Sequence, residues 1–371
     1  MRPNKALALV FTNSGDSLLP ELTAYRSMAS VPFGGRYRII DFQLSALVNA
    51  GVGTIGIIPR ENYRSLMDHI GAGKPWDLDR KHGGLTFLTP YISGAGIYKG
   101  HVNAIETAKG FLKHCKEEYV IITDADFICN MDIAEMFKEH KKSGADCTVA
   151  FKRGKLPSYE KEHLALVLDE ESNAKEVLLV NEAGKECDYS IGTVIFQKDK
   201  LLELSADAAE RDATSISRGI LQRNQASLKI HGFEVKGFAA PIDGIEAYVE
   251  ANMAMLDPAV RRELFSSGRP IYTKTRDDCP TKYGLECKVK NSLIADGCVI
   301  EGDVENCIIF RGVKVGKGTV LKDSIIMQST IIGENCDIRY VTADKDVVIS
   351  DNSNLKGAKN HPFVIKKGEK I

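Results

Sequence analysis

The sequence has almost no excess of charge of one sign. Its 371 residues include 49 lysines and arginines against 50 aspartates and glutamates, a formal net charge of -1. Nucleic acids and anionic membranes attract proteins that carry a broad excess of positive charge. We therefore expect neither kind of partner, and any charged ligand must be recognised locally.

The sequence also lacks a long apolar run and a paired-cysteine motif. The early apolar run from Ala6 to Phe11 ends at Thr12, which makes it too short for a signal peptide or a membrane span. The nine cysteines are odd in number and form no CxxC pair, which disfavours a zinc ribbon and a complete disulfide framework. We expect a cytoplasmic protein whose thiols are reduced and mostly buried.

The composition is typical of a folded protein, and the length of the chain indicates two or three domains. Hydrophobic residues make up 43% and charged residues 27% of the chain. Residues 5 to 256 alternate short apolar runs with amphipathic stretches, as in 54–58 followed by 63–70. This rhythm predicts an α/β fold with a doubly wound, mostly parallel, Rossmann-like sheet. Ligands of such sheets bind beyond the carboxyl ends of the strands, so we expect the chemistry in loops 12–35 and 123–132.

The last hundred residues have a different period. Aliphatic residues recur every five or six positions, which predicts a left-handed parallel β-helix with these side chains pointing inward: Val304, Ile309, Val315, Val320, Ile326, Ile332 and Ile338. We predict an α/β domain over 1–256, a linker over 257–284 and a β-helix over 285–371. The final coil, near 347–355, needs a cap, and the flat coils offer a face for assembly.

Two segments carry a resemblance to a known family. Residues 31–42 (VPFGGRYRIIDF) and 68–80 (DHIGAGKPWDLDR) resemble bacterial glucose-1-phosphate adenylyltransferase, the ADP-glucose pyrophosphorylase of glycogen synthesis. The resemblance continues through 237–252 and the β-helix, so it covers nearly the whole chain. It implies a nucleotidyltransferase that joins a sugar phosphate to the α-phosphate of ATP, with Mg²⁺ held by carboxylates between the reacting phosphates.

The nucleotide loop departs from the pattern of that family. Where the family has Gly-Gly-x-Gly-x-Arg, this chain keeps Gly15 but has Asp16 and Leu18, and Met28 replaces a lysine. The loop thus gains a negative charge and loses two cations where phosphates would lie. We interpret these positions as degenerate, and no catalytic residue is expected in this chain.

The metal ligands that the resemblance implies are also incomplete. Asp126 matches the first metal-binding aspartate, but Pro241 stands where the second should be, and proline cannot bind a metal. Asp243 would substitute only if its loop were displaced. We expect no metal in this chain, with Asp126 as a weak candidate. His101 replaces a hydroxyl residue at a helix start, where we expect it to face solvent.

The losses are concentrated on groups that would touch ATP, metal or sugar phosphate, while the structural matches remain strong. This combination resembles the GlgD-type branch of the family, the non-catalytic relative found beside a catalytic GlgC-type subunit in Gram-positive bacteria. The resemblance implies a regulatory subunit of a heterotetramer, with no cofactor of its own and with Mg²⁺ in the catalytic partner.

Three arginines keep positive charge close together in sequence. Arg26, Arg36 and Arg38 lie in a region that, in the family, faces the effector site as well as the active site. We predict that they bind a phosphorylated metabolite or phosphate. The alternative is that they are solvated or paired with carboxylates.

Two other functions fit parts of the sequence. One is an active sugar-1-phosphate nucleotidyltransferase whose loop is rebuilt around Asp126, Lys74 and Arg36. The other is a β-helix acyltransferase, which needs a histidine base, although no histidine occurs from 287 to 360. The block 71–76 either shapes a nucleotide-base pocket or orders a surface loop around the single tryptophan.

Overall fold

The computed structural model describes residues 5–90, 98–156 and 162–371. The first part of the chain folds into thirteen strands and nine helices within these ranges. In chain order they are β1 Ala6–Phe11, α1 Pro20–Thr23, β2 Pro32–Phe33, β3 Tyr37–Arg38, α2 Ile39–Asn49, β4 Thr54–Ile58, α3 Arg64–Ile70, β5 Gly84–Phe87, α4 His101–Thr107, α5 Lys109–His114, β6 Tyr119–Asp124, β7 Phe127–Cys129, α6 Ile133–Ser143, β8 Cys147–Lys155, β9 His163–Leu168, β10 Ala174–Val180, β11 Glu186–Gln197, α7 Lys198–Glu210, β12 Ile230–Glu234, β13 Ala239–Pro241, α8 Ile245–Ala254 and α9 Pro258–Leu264.

The central sheet confirms the α/β fold class and is mixed in strand direction. β1 lies between β4 and β6, and β4 pairs with β5, all in parallel. β11 pairs antiparallel with β6, β8 and β9, while β8 and β12 are parallel. The parallel half is therefore the half that carries the loops expected to hold the site.

Helices cover both faces of this sheet. All six residues of β1 are buried, as in a strand with packing on both sides. Ala6, Ala8 and Val10 pack into one apolar cluster with residues of α2, α3 and α6. Leu7, Leu9 and Phe11 pack into the other with residues of α4, α5 and α7. The alternation of side chains along the strand thus supplies two cores.

Helix α6 follows directly from its sequence. Asp132 caps the helix by accepting a hydrogen bond from the backbone N–H of Glu135 at 3.0 Å, and Gly144 ends it in the left-handed region at φ 59°. The buried residues of the helix recur at helical spacing: Ile133, Met136, Phe137 and His140.

The β-helix consists of three stacks of short parallel strands. They are β14 Lys282–Tyr283, β15 Val289–Lys290, β16 Leu293–Ile294, β17 Val299–Ile300, β18 Asp303–Glu305, β19 Ile308–Ile309, β20 Lys314–Val315, β21 Val320–Lys322, β22 Ile325–Ile326, β23 Ile331–Ile332, β24 Asp337–Arg339, β25 Val341–Ala343, β26 Val348–Ile349, β27 Asn354–Lys356 and β28 Phe363–Ile365. Every third strand pairs with the next in its stack, so each coil has three strands. The predicted coiled architecture is confirmed.

One of the seven predicted inward residues does not point inward. Leu321 lies in register with Val304 and Ile338 and is fully buried, whereas Val320 pairs with Asp303 and is only partly buried. The expectation for Val320 was wrong because the inward position that follows Val315 lies six residues further on, at Leu321, and not five. The other six predicted residues are each at most 2% exposed.

The two ends of the β-helix differ. At the last coil, the C-terminal residues add backbone hydrogen bonds to β26, with the Val348 N–H bonded to the Glu369 carbonyl and the Ile371 N–H to the Val348 carbonyl, both at 2.9 Å. In the first coil, Tyr283 and Val289 occupy inward register positions but are 51% and 39% exposed. The last coil is therefore capped, and the first coil is open.

The β-helix and the α/β domain share a core. Ile308 and Phe310 from the third strand stack are buried in one apolar cluster with Phe33 and Tyr248 of the α/β domain. All nine cysteines are free thiols, and five of them are buried, as predicted from their number and spacing. No helix in the described ranges has the length and apolar character needed to cross a membrane.

Candidate functional site

The ends of two neighbouring parallel strands place the candidate site. β1 and β6 run side by side with Phe11 opposite Asp124, so the loops that follow both strands meet at one edge of the sheet. This is the edge where ligands bind in open α/β sheets. Loops 12–35 and 123–132, where we expect the chemistry, therefore begin next to each other.

Three of the positions interpreted as degenerate come together at this edge. A methyl group added to Gly15 would lie 2.9 Å from the Met28 terminal methyl and 3.6 Å from the Asp126 Cβ. Met28 is fully buried. An apolar thioether therefore fills the space beside the loop, at the position where the family pattern has a lysine.

Asp16 turns back into its own loop. Its carboxylate accepts a hydrogen bond from the Met28 backbone N–H at 2.6 Å and one from the Asn13 side-chain amide at 2.5 Å. Burial raises the pKa of the Asp16 carboxyl, against the lowering effect of these two hydrogen bonds. Leu18 ends the short turn that starts at Asp16 and is partly buried. The loop after β1 thus presents a carboxylate, and it supplies that carboxylate with its own donors.

Asp124 forms a second internal cluster at the same edge. Its carboxylate accepts a short hydrogen bond from the Ser14 hydroxyl and lies 2.8 Å from Nε2 of His101. His101 begins α4 with its side chain 25% exposed, so the expectation that it simply faces solvent was wrong. A methyl group added to Gly192 would lie 2.9 Å from the Asp124 carboxylate, which shows how closely β11 covers this group.

Asp126 directly precedes β7, and β7 lies next to the strand that carries Pro241. β13 pairs antiparallel with β7 so that Pro241 is opposite Phe127, and the backbone N–H of Ile242 donates to the Asp126 carbonyl at 2.8 Å. The residue at position 241 thus lies beside Asp126, where the resemblance implies a second metal ligand. Proline has no side-chain donor atom to offer there.

Asp243 lies in the same cavity as Asp126 and is buried. Its Oδ2 atom lies 3.7 Å from Nε2 of His163, and neither atom has a hydrogen-bond partner among the described residues. The cavity has a volume of about 60 Å³. Four of its described lining residues are acidic, and none is lysine or arginine: Asp124, Asp126, Glu162 and Asp243.

The described residues do not fit a magnesium site of the kind that the resemblance implies. Magnesium takes near-octahedral oxygen coordination, usually with one or two carboxylates together with substrate phosphates. Within ranges 5–90, 98–156 and 162–371, no three His, Cys, Asp or Glu side chains are arranged to hold a metal ion. Asp126 remains next to a proline in place of the second carboxylate.

The three arginines that we singled out from the sequence lie in different environments. Arg26 is buried and forms two hydrogen bonds to the Asp344 carboxylate of the β-helix, at 2.9 and 2.7 Å. Arg38 is partly buried and donates to the backbone carbonyl and the hydroxyl of Ser65. Arg36 is exposed. Arg26 is therefore paired with a carboxylate, while Arg36 and Arg38 face a common cavity.

This cavity lies between the α/β domain and the β-helix and is strongly cationic. It has a volume of about 70 Å³. Burial lowers the pKa of Arg38 to about 10 and, together with the neighbouring arginines, the pKa of Lys345 to about 7. Among the described residues that line it, six side chains are cationic and only Asp68 carries a carboxylate: Arg36, Arg38, Lys274, Arg276, Arg311 and Lys345.

Arg311 is the most buried cation of this interdomain cavity. Its side chain is 8% exposed, and its Nε and Nη2 atoms have no hydrogen-bond partner among the described residues. The nearest carboxylate oxygen, Oδ2 of Asp278, lies 3.5 Å from Nε. The sequence did not indicate Arg311 or Lys345, because both come from the β-helix and lie far along the chain from Arg38.

The residues of the alternative, rebuilt active site do not come together. Lys74 and Arg36 line an open groove of about 740 Å³ between α3 and residues 271–275, and neither lines the acidic cavity of Asp126. Trp76 is 2% exposed and packs edge-on against His69 at 6.0 Å between ring centroids. The block 71–76 therefore packs around a buried tryptophan, and it also lines the groove through Gly71, Ala72, Lys74 and Pro75.

Comparison with known proteins agrees with this architecture. Residues 14–161 match the family described as nucleotidyl transferase, and residues 279–359 match the family described as GlmU-like, C-terminal hexapeptide. The chain is 36% identical to the glycogen biosynthesis protein GlgD of Bacillus subtilis (strain 168), over 98% of this chain and 96% of that protein.

Two further relatives show the same relationship. The glycogen biosynthesis protein GlgD of Geobacillus stearothermophilus is 37% identical over 98% of this chain and 97% of its own length. A glucose-1-phosphate adenylyltransferase of Clostridium perfringens (strain SM101 / Type A) is 33% identical over 90% of this chain and 87% of its own length. The chain therefore belongs to the glucose-1-phosphate adenylyltransferase family, in its GlgD-type branch.

Proposed function

We propose that this chain serves glycogen biosynthesis in the cytoplasm as the regulatory, GlgD-type subunit of glucose-1-phosphate adenylyltransferase, and that it is not catalytic by itself. The single observation that carries the proposal is the acidic cavity of Asp124, Asp126, Glu162 and Asp243, which no lysine or arginine of the described residues lines. Sugar phosphate and ATP are anions, and the described lining residues include no lysine or arginine that could bind their phosphates.

The loss of two cations from the nucleotide loop would strongly reduce catalysis. A hydrogen bond to a charged group contributes about 1.5–3 kcal/mol, so losing two cationic contacts weakens transition-state stabilisation by roughly 10²- to 10⁴-fold. The Asp16 carboxylate adds repulsion in the same loop. We propose that the Mg²⁺ of the reaction is held by the catalytic partner, because the described residues of this chain do not form a magnesium site.

The proposal is tested by measuring ADP-glucose synthesis with ATP, Mg²⁺ and glucose 1-phosphate. We expect no synthesis by this chain alone, and we expect a catalytic GlgC-type subunit to change its turnover or affinity when this chain is added. Asp126→Asn is the matched variant: the activity of the pair should not change, because Asp126 holds no catalytic metal here. Robust synthesis by this chain alone, unaffected by the partner, would contradict the proposal.

We also propose that the interdomain cavity binds a phosphorylated metabolite or phosphate as an effector. Its cations have few carboxylate partners, and Arg311 has buried nitrogen atoms without hydrogen bonds. An oxyanion would accept several charge-assisted hydrogen bonds there. The two hydrogen bonds between Arg26 and Asp344 hold one wall of the cavity across the two domains.

This effector site is tested with inorganic phosphate as the probe. Arg38→Ala and Arg311→Met should each weaken phosphate binding about 10- to 100-fold in calorimetry, the loss expected for one charged hydrogen bond. Both should reduce the phosphate sensitivity of the pair's activity. Arg223→Ala, an exposed arginine of the α/β domain, is the control and should leave binding unchanged. Phosphate affinities equal to the unmodified chain in both cavity variants would refute the site.

We propose that the catalytic partner docks on the open first coil of the β-helix, in a heterotetramer. Tyr283, Leu285 and Val289 are 51%, 107% and 39% exposed, and two of them occupy inward register positions without a preceding coil. A coil of a second β-helix is a partner that offers both apolar side chains and strand edges of matching spacing.

Size-exclusion chromatography of the mixed subunits tests this surface. Leu285→Asp should shift the equilibrium from the complex to free subunits without lowering the melting temperature of this chain, since the side chain is fully exposed. Val167→Asp, at a residue that is 41% exposed on β9, is the matched control. A complex that forms equally well with Leu285→Asp would rule out the first coil as the docking surface.

A further inference from the structure

Lys345 lies between the two domains and has no carboxylate hydrogen bond of its own in the described structure. It lines the interdomain cavity from the β-helix and is partly buried. The adjacent carboxylate, Asp344, forms two hydrogen bonds to Arg26 and accepts one from the Lys345 backbone N–H at 2.7 Å. The Lys345 ammonium is therefore surrounded by positive charge that nearby acids only partly compensate.

Both domains place charged groups around Lys345. The nearest groups that affect its charge are the cations of Arg38, Arg26 and Lys367 and the anion of Asp344. The remaining titratable or charged groups among the described residues of the cavity walls are Arg36 near β3, Tyr37 on β3, Asp68 and His69 on α3, Lys274 and Arg276 after α9, and Arg311 on the β-helix.

We propose that Lys345 makes anion binding in the interdomain cavity depend on pH, by taking up one proton from solvent as the anion binds. This inference rests on the proposed effector site and adds to it a regulatory property. Without an anion, partial burial and the cations of Arg38, Arg26 and Lys367 favour the neutral amine. A bound oxyanion offsets part of the positive charge and accepts a hydrogen bond from the ammonium form.

The protonation state of Lys345 differs between the free chain and the anion complex. The free chain holds Lys345 partly as the neutral amine near neutral pH, because burial and its arginine neighbours lower the pKa to about 7. The complex holds the ammonium form, so each chain whose Lys345 is neutral takes up one proton from solvent at Nζ when the anion binds, and no bond other than N–H is made. Affinity must then fall as the pH rises through the pKa of the free chain.

His69 does not produce the same effect in this range. Its Nε2 atom lies 2.6 Å from the Asp41 carboxylate, and burial lowers its pKa below the usual 6.5. His69 therefore stays neutral above pH 7, whereas the amine of Lys345 titrates there. Binding measurements above pH 7 therefore report the titration of Lys345 and not that of His69.

Sulfate is the probe, because it keeps its charge throughout this range while phosphate does not. Calorimetric titration of the full chain with sulfate at about pH 7 and about pH 8.5 should show roughly tenfold weaker binding at the higher pH. Lys345→Arg, which stays protonated, should bind sulfate with one affinity at both values. Lys345→Met should also lose the pH dependence, with weak binding throughout. Lys314→Met, an exposed lysine on the β-helix, should behave as the unmodified chain.

The outcomes separate this inference from the effector site itself. Sulfate binding of equal strength at both pH values in the unmodified chain would overturn the role of Lys345 and leave the site in place. The same pH dependence in Lys345→Arg and Lys345→Met would overturn it as well, since another group would then be responsible. No sulfate binding at either pH would overturn the anion site, and the inference with it.

Discussion

The Asp16 carboxylate accepts hydrogen bonds from inside its own loop, from the Met28 N–H and the Asn13 amide. These are donors of the kind that a phosphate would need at this edge of the sheet. One side chain therefore does two things: it satisfies a buried backbone donor, and it places negative charge where a triphosphate would have to enter. The loop is stable without a ligand for this reason.

Replacing Asp16 tests its structural role. Asp16→Ala should lower the free energy of unfolding by about 1–3 kcal/mol, because the Met28 N–H would be buried without a hydrogen-bond partner. Denaturation by urea measures the change. Ser17→Ala, at an exposed neighbouring position, should stay within about 0.5 kcal/mol of the unmodified chain. Equal stability of both variants would show that the carboxylate is not needed by the fold.

Some site residues could be predicted from sequence and others could not. Gly15, Met28 and Asp126 could be identified, because each aligns with a family motif and the ends of adjacent parallel strands bring them together. Lys345 and Arg311 could not, because their relation to Arg38 depends on how the β-helix packs on the first domain. The Asp124–His101 contact was missed because His101 replaces a hydroxyl residue and carries no motif of its own.

At the scale of elements, periodicity and caps predict a helix well where both are present. α6 begins and ends where its sequence signals lie, because Asp132 caps it and Gly144 ends it. The apolar residues over 101–115 have the spacing of one helix, but the structure has two helices there, α4 and α5. The Thr107 hydroxyl donates to the Asn103 carbonyl at 2.9 Å, a contact that bends helices and that the pattern of apolar residues does not reveal.

α6 also carries a buried histidine that makes stability depend on pH. His140 is 3% exposed, its Nδ1 atom lies 2.8 Å from the Thr148 hydroxyl, and burial lowers its pKa to about 4. The unfolded chain binds this proton more tightly, so stability is full above pH 6.5 and is lost as the pH falls toward 4. The loss from this group amounts to about 3 kcal/mol.

His140→Gln should flatten that dependence. The glutamine can keep a hydrogen bond to Thr148 and does not titrate, so urea unfolding at pH 7 and at about pH 4.5 should differ less than in the unmodified chain. His114→Gln, at an exposed position on α5, is the control and should keep the full difference. An unchanged pH dependence in His140→Gln would assign the effect to other buried groups such as His231, whose pKa burial also lowers.

At the scale of the whole molecule, a single buried ion pair joins residue 26 to residue 344. Arg26 and Asp344 are 3% and 2% exposed and come from the two domains. Around them, residues of the third strand stack and of the α/β domain form one apolar cluster. The two domains therefore depend on each other for the burial of both charge and apolar surface.

Removing one partner of this pair should be costly. Asp344→Asn leaves the Arg26 guanidinium buried without its counter-charge and should lower the free energy of unfolding by about 3–5 kcal/mol. Arg26→Met combined with Asp344→Leu should restore part of that loss, because neither charge is then buried. Asp337→Asn, at a partly exposed carboxylate paired with Arg339 and Lys356, should cost at most about 1 kcal/mol. If Asp344→Asn costs no more than Asp337→Asn, the pair does not stabilise the molecule.

The difference between the two ends of the β-helix limits how many chains can join. If both ends were open, one chain could follow another head to tail, and a contact of that kind continues without limit into a fibre. The C-terminal residues cover one end, so in the described structure only the end of the β-helix near Tyr283 is free to continue the stack. Contact through this one end joins two β-helices and stops, so the second pairing in a heterotetramer must use another face of the molecule.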